Sequence, residues 1–180
     1  RSGRRIAIIE NEIGKVGIDG ETIAAEGLPV KELFSGCICC SLRTDLINTL
    51  LELERSSGPG LVIIEPSGVA GPDLLLEAMR GYGGCIGRKL VLNLVDASRH
   101  KTLLAKPLLP IVRKGIEAAD LILVSKSDTI PGEEFKEIEA GIRGIRPDPV
   151  LRFISAADGR GMDCLPGLIE SMLSPLDSLQ

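Results

Sequence analysis

An α/β fold, a mostly parallel sheet flanked by helices, is what this chain predicts from three observations. Short aliphatic runs recur and end on polar residues, and segments with helical spacing separate them. Aromatic residues make up only 2% of the chain, with no Trp, so Leu, Ile, Val and Ala must fill the core. Runs this short and this aliphatic read as strands buried on both faces. Strands that alternate with helices join through right-handed crossovers into a parallel sheet.

The elements follow in chain order. Ile6-Ala7-Ile8-Ile9 is a strand that stops at Glu10. Ser41 then stands as the N-cap of a helix whose apolar stripe runs through Leu42, Leu46, Leu50 and Leu53, widened by Ile47 and Leu51. Leu61-Val62-Ile63-Ile64 is the next strand and stops at Glu65; residues 72–79 read as a packing segment and 81–87 as a loop. A strand over 90–95 stops at Asp96, and a helix over 107–119 carries Pro110, which belongs in a first turn. Leu121-Ile122-Leu123-Val124 stops at Ser125, and a helix over 133–143 opens with Glu133 and Glu134 at its positive end. A loop over 146–149, a strand over 150–154 that stops at Ser155 and a helix over 162–173 complete the order.

No internal repeat or linker divides the chain, so residues 1–180 read as a single domain. In parallel sheets ligands sit outside the carboxyl ends of the strands. That rule lines up Glu10, Glu65, Asp96, the stretch from Ser125 to Asp128 and Ser155 as one candidate edge.

The formal charge of −4 is spread without a basic block, and there is almost nothing aromatic to stack on bases, which excludes nucleic acid as a partner. No apolar stretch reaches the roughly 18 residues of a membrane span, and Arg1-Ser2-Gly3-Arg4-Arg5 leads into a strand-like run rather than a signal-peptide core. Five cysteines, an odd number with tight spacing, argue against a disulfide framework and for the reducing cytoplasm. His100, the single histidine, lies on a loop, where a lone histidine is more often neither ligand nor catalyst.

Three of the cysteines, Cys37, Cys39 and Cys40, fall within four residues. Thiolates favour Zn²⁺ or Cu(I), and nearby carboxylates widen the choice toward Co²⁺ and Ni²⁺. In an extended strand Cys37 and Cys39 share a side and Cys40 faces away. A turn before the helix at Ser41 could bring two of them inward, where the helix N-terminus favours thiolate. Glu10 or Glu12, water, or a second copy of the chain in a homodimer could complete the ligand set. The plainer alternative is a closed zinc site or buried thiols. Cys85 and Cys164 are isolated and read as ordinary thiols.

Ser125-Lys126-Ser127-Asp128 has the form of a guanine-reading strand end: a carboxylate can accept from the N1 and N2 edge, and a lysine stem can lie along the base. Ser155-Ala156-Ala157-Asp158-Gly159 follows another strand, where a backbone N–H could reach the guanine O6. In Ile63-Ile64-Glu65-Pro66-Ser67-Gly68 an acid at a strand end can hold a Mg²⁺ water, and Gly68 lets the backbone swing toward a terminal phosphate.

With these motifs, the segments Glu10-Asn11-Glu12-Ile13-Gly14-Lys15-Val16-Gly17-Ile18-Asp19 and Gly36-Cys37-Ile38-Cys39-Cys40 make the chain resemble the CobW/HypB/UreG family of GTPases and metallochaperones, and most of all its CobW-type branch. The resemblance runs over nearly the whole chain. It implies a P-loop NTPase-like sheet of the SIMIBI type, with Glu65 as the Mg²⁺-linked acid, Gly68 as the switch glycine and Asp19 in the first switch. It also implies that Lys126 and Asp128 read guanine beside Ser125, aided by the backbone around Ser155 and Ala156. The implied function is GTP binding and hydrolysis coupled to delivery of a metal (Zn²⁺, Co²⁺ or Ni²⁺) or a corrinoid cofactor to a client enzyme.

Three features depart from that family. Ser125 stands where many GTPases have Asn, which weakens base selectivity, and Lys15 stands where relatives often carry an acid. No G-x-x-x-x-G-K-[ST] occurs in the 180 residues. In the family that loop follows the first strand, so Ile6 to Ile9 corresponds to the second, and a βα unit of roughly 30 residues is expected to be missing from the amino end. Such a truncated chain is expected to bind GTP poorly and to leave strand edges and an apolar seam unpaired. The rival reading is a nucleotide-independent metal-binding module; a Rossmann-type enzyme would need a G-x-G-x-x-G that is not there.

Overall fold

The computed structural model describes residues 5–12, 30–34, 41–66, 72–100 and 109–174. The chain divides into two compact units, Arg1–Cys85 and Ile86–Gln180. Each contains a three-stranded sheet with parallel pairing throughout, as the alternation of strands and helices predicts.

In the first unit the elements are β1 (Ile6–Glu12), β2 (Val30–Phe34), α1 (Ser41–Ser56), β3 (Leu61–Glu65) and α2 (Pro72–Met79), and the sheet order is β2-β1-β3. Alternate residues of β1, Ala7 and Ile9, are fully buried and pack against Leu46, Leu50 and Leu53 of α1 and Ala78 of α2, with Val62 and Ile64 of β3 alongside. These three leucines lie on the stripe that the 3.6-residue period predicts. Burying each contributes roughly 1.5–3 kcal/mol. Ser41, expected just outside the helix, is its first residue, a one-position difference at a terminus that frays. At the other end Ser57 and Gly58 donate their N–H groups to the Leu53 carbonyl, and Gly58 takes a left-handed φ of 49°, which lets the chain turn back to β3. The strand β2 escapes the search for continuous aliphatic runs, because Val-Lys-Glu-Leu-Phe mixes charged and apolar residues at a sheet edge.

In the second unit β4 (Leu92–Asp96) leads through a 3₁₀ turn at Ala97–Arg99. Then come α3 (Leu109–Ala118), β5 (Leu121–Ser125), a second 3₁₀ turn at Ser127–Thr129, α4 (Gly132–Ile145), β6 (Val150–Phe153) and α5 (Leu165–Leu173). The order is β4-β5-β6. Ile122 and Val124 of the central strand pack with Ile116, Ala119, Ile138 and Ile142 on the face covered by α3 and α4. Leu121 and Leu123 pack on the opposite face against Leu165, Leu168, Ile169 and Met172 in and around α5. The strands start together because Asp120 and Val91 clasp each other: the Asp120 carboxylate accepts the Val91 N–H, and the Asp120 N–H donates to the Val91 carbonyl, both at 2.8 Å.

Burial on both faces, expected for every strand, holds for β5 but not for its neighbours or for β3. Leu94 is 65% exposed and Leu92 39%, on the face where α5 covers β5, and Ile63 of β3 is 46% exposed. Among the described residues both β3 and β4 are edge strands of their sheets, and an edge strand has a neighbour on one side only. The helix expected from residue 162 begins at Leu165, because Gly161, with φ 70°, turns the chain immediately before it. No helix among the described residues is long and apolar enough to cross a membrane.

Candidate functional site

The carboxyl ends of β4, β5 and β6 bring most of the nucleotide-type motif residues together. Register pairs Asp96 with Ser125 and Val124 with Phe153, so the three loops leave the sheet at one level. Asp96 caps the first 3₁₀ turn: its Oδ1 accepts the Ser98 N–H at 3.0 Å and the Ser98 hydroxyl at 2.6 Å. Its Oδ2 accepts from Lys126 Nζ at 2.7 Å. Burial works to raise the pKa of Asp96, but the hydrogen bonds from Lys126 and Ser98 and the lysine charge outweigh it and set the carboxyl below the usual carboxylate range.

Lys126 has φ 56° and ψ 35°, and no other non-glycine residue among those described has a positive φ. A left-handed backbone costs an L-residue about 1–2 kcal/mol. It is held there by Thr129, whose N–H and hydroxyl both donate to the Lys126 carbonyl, at 3.1 and 2.7 Å. Ser125 stands at the end of β5, with its hydroxyl 3.4 Å from the Val95 carbonyl.

The loop after β6 is tied down from within. Ser155 is buried; its N–H donates to the Arg160 carbonyl at 2.9 Å, and its hydroxyl oxygen accepts the N–H groups of Ala157 and Asp158 at 3.2 and 3.3 Å. Arg160 reaches the Ser127 carbonyl at 3.4 Å and the Asp158 carboxylate at 3.2 Å. The Arg160 backbone N–H, foremost, holds the Asp158 carboxyl below its ordinary range. Two polar groups are left over: among the described residues the Asp128 carboxylate and the Ala156 N–H have no partner, and both residues are exposed. A carboxylate and an N–H at one sheet edge suit a flat ring whose edge offers N–H donors and a carbonyl oxygen.

The first unit holds the acidic candidates. Glu10 is 4% exposed and lies in register with Glu32 of β2 on one side and Glu65 of β3 on the other. Neighbouring strands run about 4.8 Å apart, so the Glu10 and Glu65 backbones are adjacent at the carboxyl end of this sheet. Glu65 is exposed; Glu12 is the last residue of β1. Lys15, Asp19, Cys37, Cys39, Cys40 and Gly68 lie outside the described residues. Among the described residues no three His, Cys, Asp or Glu side chains group to hold a metal ion. Cys85 and Cys164 are exposed free thiols. His100 is buried, with Nδ1 3.1 Å from the Ala97 carbonyl.

The nucleotide-binding domain of the CobW/HypB/UreG family matches residues 1–152. The chain belongs to this family. It is 32% identical over 142 residues to the "Zinc chaperone YjiA" of Escherichia coli, an alignment that covers 74% of this chain and 44% of that protein. It is 30% identical over 169 residues to the "Zinc chaperone CobW" of a Sinorhizobium species, covering 76% and 47%. The chain therefore spans less than half the length of these relatives. Among solved structures, the hydrogenase maturation factor HypB of Archaeoglobus fulgidus superposes with a TM-score of 0.64 at 15% identity, over 96% of this chain and 78% of that one. Zn(II)-bound YjiA GTPase of E. coli superposes at 0.56 and 20% identity, over 88% and 51%. These likenesses confirm the α/β fold, parallel sheets flanked by helices.

In this CobW/HypB/UreG chain three contributors are not evident from the motifs. Asp96 reads from sequence only as a polar strand end, although Asp-x-Ser after a strand is the pattern of a capped turn. Ser127, inside the strand-end motif, is fully buried, with no partner for its hydroxyl among the described residues, and that burial carries no sequence signal. Nor does Arg160, whose partners are set by loop geometry.

Proposed function

We propose that this chain is a guanine-nucleotide-binding domain of a zinc-handling metallochaperone, a single domain over residues 1–180. The observation that carries the reading is the pair at the strand ends of the second unit that has no partner among the described residues, the Asp128 carboxylate and the Ala156 N–H, beside Lys126. Guanine offers N1–H and N2–H to a carboxylate and O6 to an N–H, which adenine does not. Ser125 and the Ser155 loop frame that pair.

GTP is the proposed nucleotide, and its hydrolysis the proposed energy source. Mg²⁺ would supply charge neutralisation at the phosphates; Glu65 is the acid assigned to its side of the site, with Asp19 and Gly68 as switch positions by family resemblance. Zinc is proposed as cargo for Cys37, Cys39 and Cys40, with Glu10 or Glu12, supported by the thiolate spacing and by the likeness to two zinc chaperones. The partner is a client metalloprotein; a corrinoid client and a homodimer belong to the same proposal. The odd cysteine count supports a reducing, cytoplasmic setting.

Calorimetry with GTP and Mg²⁺ tests the nucleotide half. Binding should be negligible for the 180-residue chain and clear once an N-terminal βα unit with a phosphate loop is joined to it. No gain on joining it would sink the GTPase reading in favour of a nucleotide-independent metal module. For the cargo, Co²⁺ titration should show thiolate-to-metal absorption that falls in Cys39→Ser, and equal spectra would remove Cys39 from the site.

A further inference from the structure

We infer that Asp96 is a positioning residue for base recognition, one that anchors the Lys126 ammonium so that the lysine stem is held beside Asp128. The inference rests on the guanine reading and deepens it.

Lys126 is 59% exposed, and a lysine in that setting ordinarily samples many rotamers. Here it is fixed at both ends. Its carbonyl takes two hydrogen bonds from Thr129 in the left-handed backbone, and its Nζ meets Asp96 Oδ2 at 2.7 Å. A surface ion pair by itself orders little, because both partners move. Asp96 does not share that freedom: its side chain is only 20% exposed, and two bonds from Ser98 occupy Oδ1, leaving Oδ2 aimed at the lysine. What remains without a polar partner is the methylene stem, an apolar strip between two anchored ends. Such a strip suits the flat face of a purine. Preorganising it removes side-chain ordering from the cost of binding.

The test uses the chain with the N-terminal phosphate-loop βα unit joined to it, with GDP as the probe, read from the amide NMR signals of Asp128 and Ala156. Asp96→Asn should weaken GDP about tenfold with an otherwise native amide spectrum, and Asp96→Glu should restore part of the loss. Ser98→Ala, which loosens the carboxylate but keeps its charge, should weaken GDP two- to threefold and decides the matter if Asp96→Asn does not fold. Unchanged GDP affinity in the folded variants overturns the inference. Asp128→Asn separates it from the guanine reading: a preference not shifted from GDP toward xanthosine diphosphate means the base is not read at Asp128. Without any nucleotide, the Lys126 side-chain order parameter should fall in Asp96→Asn. An unaltered value overturns the anchor whatever GDP does.

Discussion

The backbone N–H of Ser127 donates to the carbonyl of Ile154 at 3.1 Å, stitching the turn after β5 to the end of β6. Ser127 lies between Lys126 and Asp128, and Ile154 lies two residues before Ala156, so this bond relates the two motifs proposed to read one base. The same junction is completed by the Ile154 N–H, which donates to Val124 at 2.8 Å and extends the ladder past β6. The proposed base recognition at this edge thus depends on the β5–β6 ladder as much as on the loops.

Arg160→Ala removes a second tie across that junction. Its guanidinium is about half exposed, so the global loss should not exceed about 1 kcal/mol. The loop after β6 should respond more: hydrogen exchange at Ala157 and Asp158 should quicken while exchange in β5 stays as it was. Equal protection at Ala157 and Asp158 would show that the Ser155 hydroxyl holds the loop unaided.

Two glycine substitutions should act with opposite signs. Gly161 has φ 70°, and a Cβ there would sit 2.6 Å from the Phe153 carbonyl oxygen, so Gly161→Ala should lower stability by about 1–2 kcal/mol or more. Gly167 lies in α5 with nothing within 4 Å of an added Cβ, so Gly167→Ala should raise stability by up to about 1 kcal/mol. Urea unfolding of both variants measures the pair.

Asp96 should leave a mark on acid stability. Its folded carboxyl titrates below the ordinary value near 3.9, so its contribution is fully present above that pH and is lost as pH falls through the lower folded value. The wild-type unfolding midpoint should therefore drop below about pH 4 more steeply than that of Asp96→Asn. Parallel curves would mean that the Lys126 bond does not persist in solution.

Leu94 and Ile122 occupy neighbouring strands with the same kind of residue and opposite surroundings. Ile122→Ala, at 0% exposure, should cost about 2–5 kcal/mol. Leu94→Ala, at 65% exposure, should stay within about 0.5 kcal/mol. Leu94→Lys should also reduce self-association in light scattering, because it places a charge on an exposed apolar edge. No change in scattering would mean that this edge does not drive association.

Element type was legible in the residues because it is local. The spacing of Leu46, Leu50 and Leu53 implies one buried helix face, and all three are buried; Pro110 sits in the first turn of α3. Lys126, Asp128 and Ala156 could be picked out because each stands at a set distance from the end of an aliphatic strand, and parallel pairing brings strand ends together. The strand β2 was not legible, since a mixed sequence at an edge lacks an aliphatic run.

Depth of burial and the identity of partners belong to a different class of information. β4 and β5 are both aliphatic, yet only β5 is covered on two faces, because α5 lies over one strand and not over its neighbour. Asp96 and Lys126 are 30 residues apart, and Ser127 and Arg160 are 33 apart. No local pattern couples such positions. Sheet register and a left-handed turn at Lys126 bring them within hydrogen-bond distance, and both arise from packing summed over the whole unit. Composition and periodicity were enough for the strand ends, and the resemblance of the motifs for the family; the pairing of Asp96 with Lys126 exists only once the sheet has formed.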